Sequence, residues 1–87
     1  MKIVALPVDT VAVFLRGKHP APYKFKYEDR EGLRKEVRVD QILEMETRKF
    51  GGVETIIYRC QSTIEGMELR YELKYILKDA RWELYKI

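Results

Sequence analysis

The clearest pattern in the sequence is an alternation of apolar and mostly charged residues between Met67 and Leu77. Successive side chains of a β-strand point to opposite faces, whereas a helix repeats its apolar positions every three or four residues. The apolar positions here are Met67, Leu69, Tyr71, Leu73, Tyr75 and Leu77. The alternation therefore predicts a half-buried strand with one apolar face turned toward a core.

Clusters of turn-forming residues divide the rest of the chain into similar short segments. These clusters lie at 16–22, 29–32, 50–52, 65–66 and 78–80. Because glycine and proline favour turn conformations that other residues resist, the five breaks leave six segments, and each segment predicts one strand. The alternating positions of the other five are Val11, Val13 and Leu15; Tyr23, Phe25 and Tyr27; Val37 and Val39; Ile56, Tyr58, Cys60 and Ile64; and Trp82 and Leu84.

Two short connections predict the arrangement of the last three strands. Glu65-Gly66 separates two alternating runs. A two-residue connection that ends in glycine is typical of a β-hairpin, although Asn or Asp is its usual first residue. The connection at 78–80 is almost as short. Because parallel neighbours need a crossover of about a dozen residues, we expect an antiparallel C-terminal meander.

The segment at 40–50 fits neither periodicity. Its apolar residues are Ile42, Leu43, Met45 and Phe50. One interpretation is a short helix near residues 41–50, capped by Asp40 and ended by Gly51, which would make the fold α+β. The interpretation that we favour is a strand that continues from the third segment through a β-bulge, where Ile42 and Leu43 shift the facing register.

Strands with one apolar face each must curl to bury that face, and curling also hides edges that would otherwise invite aggregation. The sequence therefore predicts an all-β fold, built as a small antiparallel barrel or bent roll of about six strands. The chain has 87 residues, which suits one domain, so we treat residues 1–87 as a single small β domain.

Composition refines this prediction. Hydrophobic residues make up 46% of the chain, well above the level of a disordered segment. Cys60 is the only cysteine, which excludes a disulfide within the chain and favours a reducing compartment. Pro7 and Asp9 interrupt the apolar N-terminus, and no run approaches the roughly 20 apolar residues of a membrane span. We therefore expect a soluble, cytoplasmic protein without a membrane partner.

Residue types that carry most enzyme chemistry are scarce. The one histidine, His19, and the one cysteine lie 41 positions apart, which is too little for a metal site or a nucleophile–base pair. Gly51-Gly52 lacks the Lys-Ser/Thr of a phosphate loop. Glu68 and Glu72 lie beside basic residues on a predicted solvated face, a pattern typical of surface ion pairs. We therefore expect no catalytic residues, no metal and no cofactor.

Positive charge is concentrated in one part of the chain, although the net charge is only +3. Residues 16–35 hold seven basic and three acidic side chains, whereas residues 36–87 hold nine and ten. Three aromatic residues alternate with two lysines inside the basic segment. The candidate binding surface comprises Arg16, Lys18, Tyr23, Lys24, Phe25, Lys26, Tyr27, Arg30, Arg34 and Lys35.

Two functions suit such a surface. Small β-barrels that bind single-stranded nucleic acid combine stacking aromatic residues with a basic groove. Alternation places these aromatic residues and lysines on opposite faces, however, which favours a core role for the aromatic residues. Six tyrosines and Trp82 are typical of protein interfaces. We therefore favour a non-catalytic interaction module that binds a protein partner or forms a homodimer through exposed strand edges.

Short packing motifs along the chain resemble those of a bacterial group. The motifs are Pro22-Tyr23-Lys24-Phe25, Val39-Asp40-Gln41-Ile42-Leu43, Gly51-Gly52, Tyr58-Arg59-Cys60, Tyr71-Glu72-Leu73 and Trp82-Glu83-Leu84. From about residue 20 onward the chain resembles short conserved hypothetical all-β proteins of Gram-positive, clostridial-type bacteria. The resemblance implies a bacterial cytoplasmic protein and brings no function with it.

Overall fold

Seven antiparallel β-strands form one continuous sheet in the computed structural model, which describes residues 1–87. The strands are β1 (Ile3–Val13), β2 (Ala21–Glu28), β3 (Arg34–Arg38), β4 (Gln41–Phe50), β5 (Val53–Ile64), β6 (Met67–Ile76) and β7 (Arg81–Lys86). Their order across the sheet is β3-β2-β1-β7-β6-β5-β4. No helix has the length and hydrophobicity that a membrane span requires. The all-β prediction is confirmed.

The predicted C-terminal meander is present, because β5, β6 and β7 are antiparallel neighbours. Glu65 and Gly66 connect β5 to β6 with φ angles of 51° and 79°. Two successive positive φ angles are what a tight hairpin turn requires, and glutamate adopts this conformation here despite its low preference for it. A short 3-10 turn, Leu77–Asp79, connects β6 to β7. The end positions Met67 and Leu77 of the alternating run are exposed.

The segment at 41–50 is a strand, so the alternative of a short helix is wrong. Its ladder with β5 shifts register between Ile42 and Glu44, which places the predicted bulge at Leu43. The strand does not continue directly from β3, however, because Val39 and Asp40 separate the two. The long strand expected from the sequence is therefore two strands, and the sheet has seven strands where about six were predicted.

The first strand begins earlier than expected. β1 spans Ile3–Val13, so the predicted strand position Leu15 lies in the exposed loop before β2. β1 pairs with β2 through Asp9–Val13 and with β7 through Ile3–Val8, so the β7 ladder holds its N-terminal half extended. A register shift between Ile3 and Leu6, with Ala5 at a φ of 46°, accommodates this half. Alternation in the sequence continues past the end of these ladders, which is why it misplaced Leu15.

The two edge strands, β3 and β4, are consecutive in the chain, so the sheet curls back on itself at Val39 and Asp40. The result is a curled half-barrel in which the apolar faces of β2 and β3 meet those of β5, β6 and β7. The buried cluster comprises Phe25, Val37, Ile56, Tyr58, Cys60, Tyr71, Leu73, Tyr75, Trp82 and Leu84. We call the cluster side of each strand its core face and the other side its outer face.

Hydrogen bonds to Ser62 of β5 fasten the corner between the two edge strands. Its hydroxyl donates to the Arg38 carbonyl at 2.6 Å and accepts from the Asp40 backbone N–H at 3.4 Å. The buried hydroxyl of Tyr71 lies 2.5 Å from the same oxygen. Asp40 forms a second hydrogen bond to β5, because its carboxylate accepts from the Thr63 backbone N–H at 2.8 Å. The end of β3 is therefore tied to β5 across the half-barrel.

Candidate functional site

The aromatic residues of the predicted basic surface do not form one exposed platform. Phe25 is only 2% exposed, and Tyr27 is half-buried against the core cluster. Tyr23 is 42% exposed, because β2 bulges there and takes it out of the alternation. The Arg38 guanidinium lies 5.1 Å from the centre of the Tyr23 ring and donates a hydrogen bond to its hydroxyl. One aromatic ring of the three is therefore available to a ligand.

Three basic residues of that surface, Lys24, Lys26 and Arg34, line one shallow concavity of about 260 Å³, and the other basic residues are dispersed. Ion pairs join Lys24 to Glu36 at 3.7 Å, Lys35 to Glu65 at 3.3 Å and Arg34 to Asp9. Lys26 is exposed on the outer face of β2. The others lie in exposed loops at opposite ends of β2, with Arg16 and Lys18 before the strand and Arg30 after it. The structure does not bring the ten predicted residues into one patch.

Two further open concave regions along the sheet are lined by His19 or by the Asp9–Arg34 pair. One, of about 390 Å³, includes the exposed His19 together with Lys49 and Glu54. The larger, of about 640 Å³, includes the paired side chains of Asp9 and Arg34. No group of three or more His, Cys, Asp or Glu side chains could hold a metal ion. These regions therefore offer shallow polar depressions rather than an enclosed site.

The single thiol is placed in the core. Cys60 is fully buried on the core face of β5, and desolvation raises its thiol pKa to about 12. Nucleophilic and metal-binding chemistry uses the thiolate, and a raised pKa keeps the thiol protonated near neutral pH. Cys60 therefore contributes packing to the fold.

The least covered element of the sheet is β4. It pairs only with β5, so the backbone groups along its other edge have no partner in the sheet. Ile42, Leu43 and Met45 are 38%, 41% and 47% exposed. Ile42 and Met45 lie opposite Cys60 and Tyr58, which are fully buried on β5. The core face of the sheet therefore continues onto β4, where it remains partly open to solvent.

An ion-pair network holds the outer face of β4 in place. Arg59 of β5 contacts Glu44 at 2.7 Å, Glu46 at 3.0 Å and Glu72 at 3.1 Å. Arg48 also contacts Glu46, at 2.8 Å. The hydrogen bond from Arg48 and the charge of both guanidiniums lower the pKa of the Glu46 carboxyl. Glu46 is therefore a carboxylate at neutral pH, and β4 is fixed to its neighbour although one of its edges is free.

Charge and motifs in the sequence point to β2 rather than to the free edge of β4. A signal was nevertheless present in the sequence. Ile42, Leu43 and Met45 fit neither the strand nor the helix period. No single buried face of a strand or helix can accommodate all three residues, and the structure leaves all three exposed.

No protein-family model, curated protein or solved structure matches this chain. The resemblance to clostridial-type proteins stays a prediction.

Proposed function

We propose that this protein is a non-catalytic interaction module whose binding site is the free edge of β4. An extended segment of another polypeptide adds to this edge as an eighth strand. The observation that carries the proposal is a ten-residue edge strand whose core-facing side chains, Ile42 and Met45, remain exposed.

Strand addition satisfies the two unmet requirements of this edge. The N–H and C=O groups of an edge strand are unpaired and form a template for another strand. Main-chain hydrogen bonds then provide affinity, and side chains of the added strand provide specificity through alternate positions. An apolar residue in the added strand, placed opposite Met45, would cover the core face that β4 leaves open.

The regular part of the edge begins after the bulge. From Glu44 to Phe50 each residue of β4 has one partner in β5, without a further register shift. A bulge bends a strand and interrupts pairing, so an incoming strand pairs best with 44–50. The Arg59 network supports the outer face of this same stretch, which limits the rearrangement needed on binding.

The alternative of single-stranded nucleic acid has less support. Stacking platforms present several aromatic rings beside basic groups. Of the aromatic residues on β2 only Tyr23 is exposed, while Phe25 belongs to the core cluster. Lys24 and Arg34 already have acidic partners.

Peptide selection tests the proposal directly. Linear peptides selected from a displayed random library against the whole chain should shift the backbone amide signals of 44–50 in an NMR titration. The Met45→Lys variant should bind these peptides at least about tenfold more weakly, because it places a charge on the uncovered core face. Met67→Lys is the matched control, since Met67 is also an exposed methionine but lies at the β5–β6 hairpin. Peptides that shift other amides, or that bind Met45→Lys as tightly as the wild type, would contradict the proposal.

A further inference from the structure

Charges on β4 are segregated along the strand. Glu44 and Glu46 precede Arg48 and Lys49. Two such strands that run antiparallel bring the acidic half of each beside the basic half of the other. We propose that the partner of β4 is a second copy of this chain, paired antiparallel through β4 about a two-fold axis at Thr47. This inference rests on the proposed function of the free edge.

The geometry of a continuous sheet restricts where the axis can lie. Directly opposed residues of an antiparallel pair have their side chains on the same face. On β4 the outer face carries Glu44, Glu46 and Arg48, because their β5 partners lie on that face, whereas Met45 and Thr47 lie on the core face. An axis between two adjacent residues would oppose an outer side chain to a core-facing one. The axis therefore passes through a residue.

Charge selects among the four central residues. An axis at Met45 opposes Glu44 to Glu46, and an axis at Glu46 opposes that carboxylate to its own copy. An axis at Arg48 opposes two guanidiniums. Like charges directly opposed across a strand pair are destabilising. An axis at Thr47 opposes Glu46 to Arg48 of the second copy twice and opposes no like charges.

The pairing at Thr47 also fits the local structure. It uses only 44–50, where the ladder with β5 is free of register shifts. Glu46 and Arg48 contact each other at 2.8 Å within one copy, and with 37% and 42% of their side chains exposed they would exchange this pair for equivalent pairs across the axis. Met45 lies opposite Lys49 of the second copy, whose aliphatic stem can cover part of the open core face. The resulting dimer joins two seven-stranded sheets edge to edge.

One strand pair gives a small interface, below the standard size of about 1,600 Å². Because such an interface must also offset the entropy of association, we expect a dissociation constant on the order of 10–100 μM. Self-association should therefore be measured up to about 1 mM.

Disulfide trapping tests which residues of the two β4 strands lie opposite each other. A cysteine at the axis faces its own copy with the Cβ atoms about 4.5–5.5 Å apart, close to disulfide geometry after a small shift. Thr47→Cys should form a disulfide-linked dimer under mild oxidation. Met45→Cys and Glu46→Cys should stay largely monomeric, because each faces a different residue in this register. Buried Cys60 does not interfere. Faster trapping of Met45→Cys or Glu46→Cys than of Thr47→Cys would overturn the register.

Charge exchange supplies an independent measurement. Arg48→Glu and Glu46→Arg should each weaken self-association at least about tenfold in sedimentation experiments, because each opposes like charges twice. A mixture of the two variants should restore a dimer, since every opposed pair is then complementary. A monomeric wild type at 1 mM whose β4 still binds selected peptides would overturn the dimer but retain the proposed function. A dimer unaffected by both charge variants would also overturn this inference.

Discussion

The two edges of this sheet are built in opposite ways. β3 has five residues, and its one purely apolar residue, Val37, is 4% exposed in the core. β4 has ten residues, and both of its faces are largely exposed. Edge strands invite pairing, and proteins usually protect them by making them short and charged. β3 is both short and charged, whereas β4 carries charges but is twice as long and exposes Ile42, Leu43 and Met45. Only Val39 and Asp40 separate the two strands in the chain.

β3 is also an edge strand, but contacts outside its ladder join it to the rest of the half-barrel. Lys35 on β3 reaches Glu65 in the β5–β6 turn at 3.3 Å. Ser62 holds the last carbonyl of β3, that of Arg38. Long-range contacts thus commit β3 to the rest of the half-barrel. β4 also has a contact beyond β5, since the Phe50 ring lies 5.9 Å from the Tyr85 ring of β7, but its far edge stays free.

Alkaline pH should cause the largest loss of stability, because it acts on buried groups beside the corner that holds β3. Cys60 and Tyr71 are paired across β5 and β6 beside the Ser62 corner. Burial raises the pKa of the Cys60 thiol from 9.0 to about 12 and also raises the pKa of the Tyr71 phenol. The unfolded chain releases these protons at lower pH than the folded chain does. The contribution of the protonated thiol to the free energy of unfolding is therefore fully present below about pH 9 and is lost as the pH rises toward 12.

Urea unfolding between pH 7 and 11 measures this loss. The Cys60 thiol alone should cost about 3 kcal/mol of unfolding free energy by pH 11. Cys60→Ala should show a shallower decline over the same range, whatever its stability at pH 7. An equal decline in both proteins would show that the thiol is not responsible.

Removal of the corner hydroxyl should have the next largest effect. Ser62→Ala leaves the Arg38 carbonyl and the Tyr71 hydroxyl without this buried partner. Such orphaned groups cost about 2–3 kcal/mol, which lowers the melting temperature by roughly 10–20 °C. Amide exchange at the end of β3 should also accelerate. The exposed neighbour Thr63→Ala should cost less than about 0.5 kcal/mol, and a similar loss in both variants would contradict the role of the corner.

The sequence predicts the β5–β7 meander but not the corner between β3 and β4. The β5–β7 meander was predictable because its ladders are local and its alternation reflects one buried face. The corner was not, because the bonds of Ser62 to Arg38 and Asp40 join residues more than 20 positions apart. β3 ends before Val39 because of this long-range contact, and no feature of the neighbouring sequence indicates that end. A long strand was therefore expected where the chain turns from one edge to the other.

The candidate site shows the same limit. Sequence charge drew attention to β2, but charge in a sequence does not reveal pairing, and Lys24, Arg34 and Lys35 all meet acidic partners. The bulge that exposes Tyr23 depends on the register with β1. Exposure of β4 depends on the strand order, which places this segment at an edge. Pattern alone predicted its bulge correctly without indicating that its apolar residues stay uncovered.

The smallest effect is expected from a matched pair of substitutions, one on each edge. Val37→Ala removes two methyl groups from a buried site and should cost about 1.5–2 kcal/mol. Met45→Ala, at a position that is 47% exposed, should cost less than about 0.5 kcal/mol in dilute solution. Thermal unfolding at about 5 μM compares the two, and equal losses would remove the distinction between the edges.

Protein concentration sharpens that comparison. A group buried only in a dimer contributes to stability through mass action, so its contribution grows with concentration. The cost of Met45→Ala should therefore increase between about 5 μM and 500 μM, whereas the cost of Val37→Ala should stay constant. If neither cost changes, Met45 is as uncovered at high concentration as at low, and self-pairing of β4 does not occur over this range. The partner that covers the apolar residues of β4 would then be a polypeptide other than a second copy.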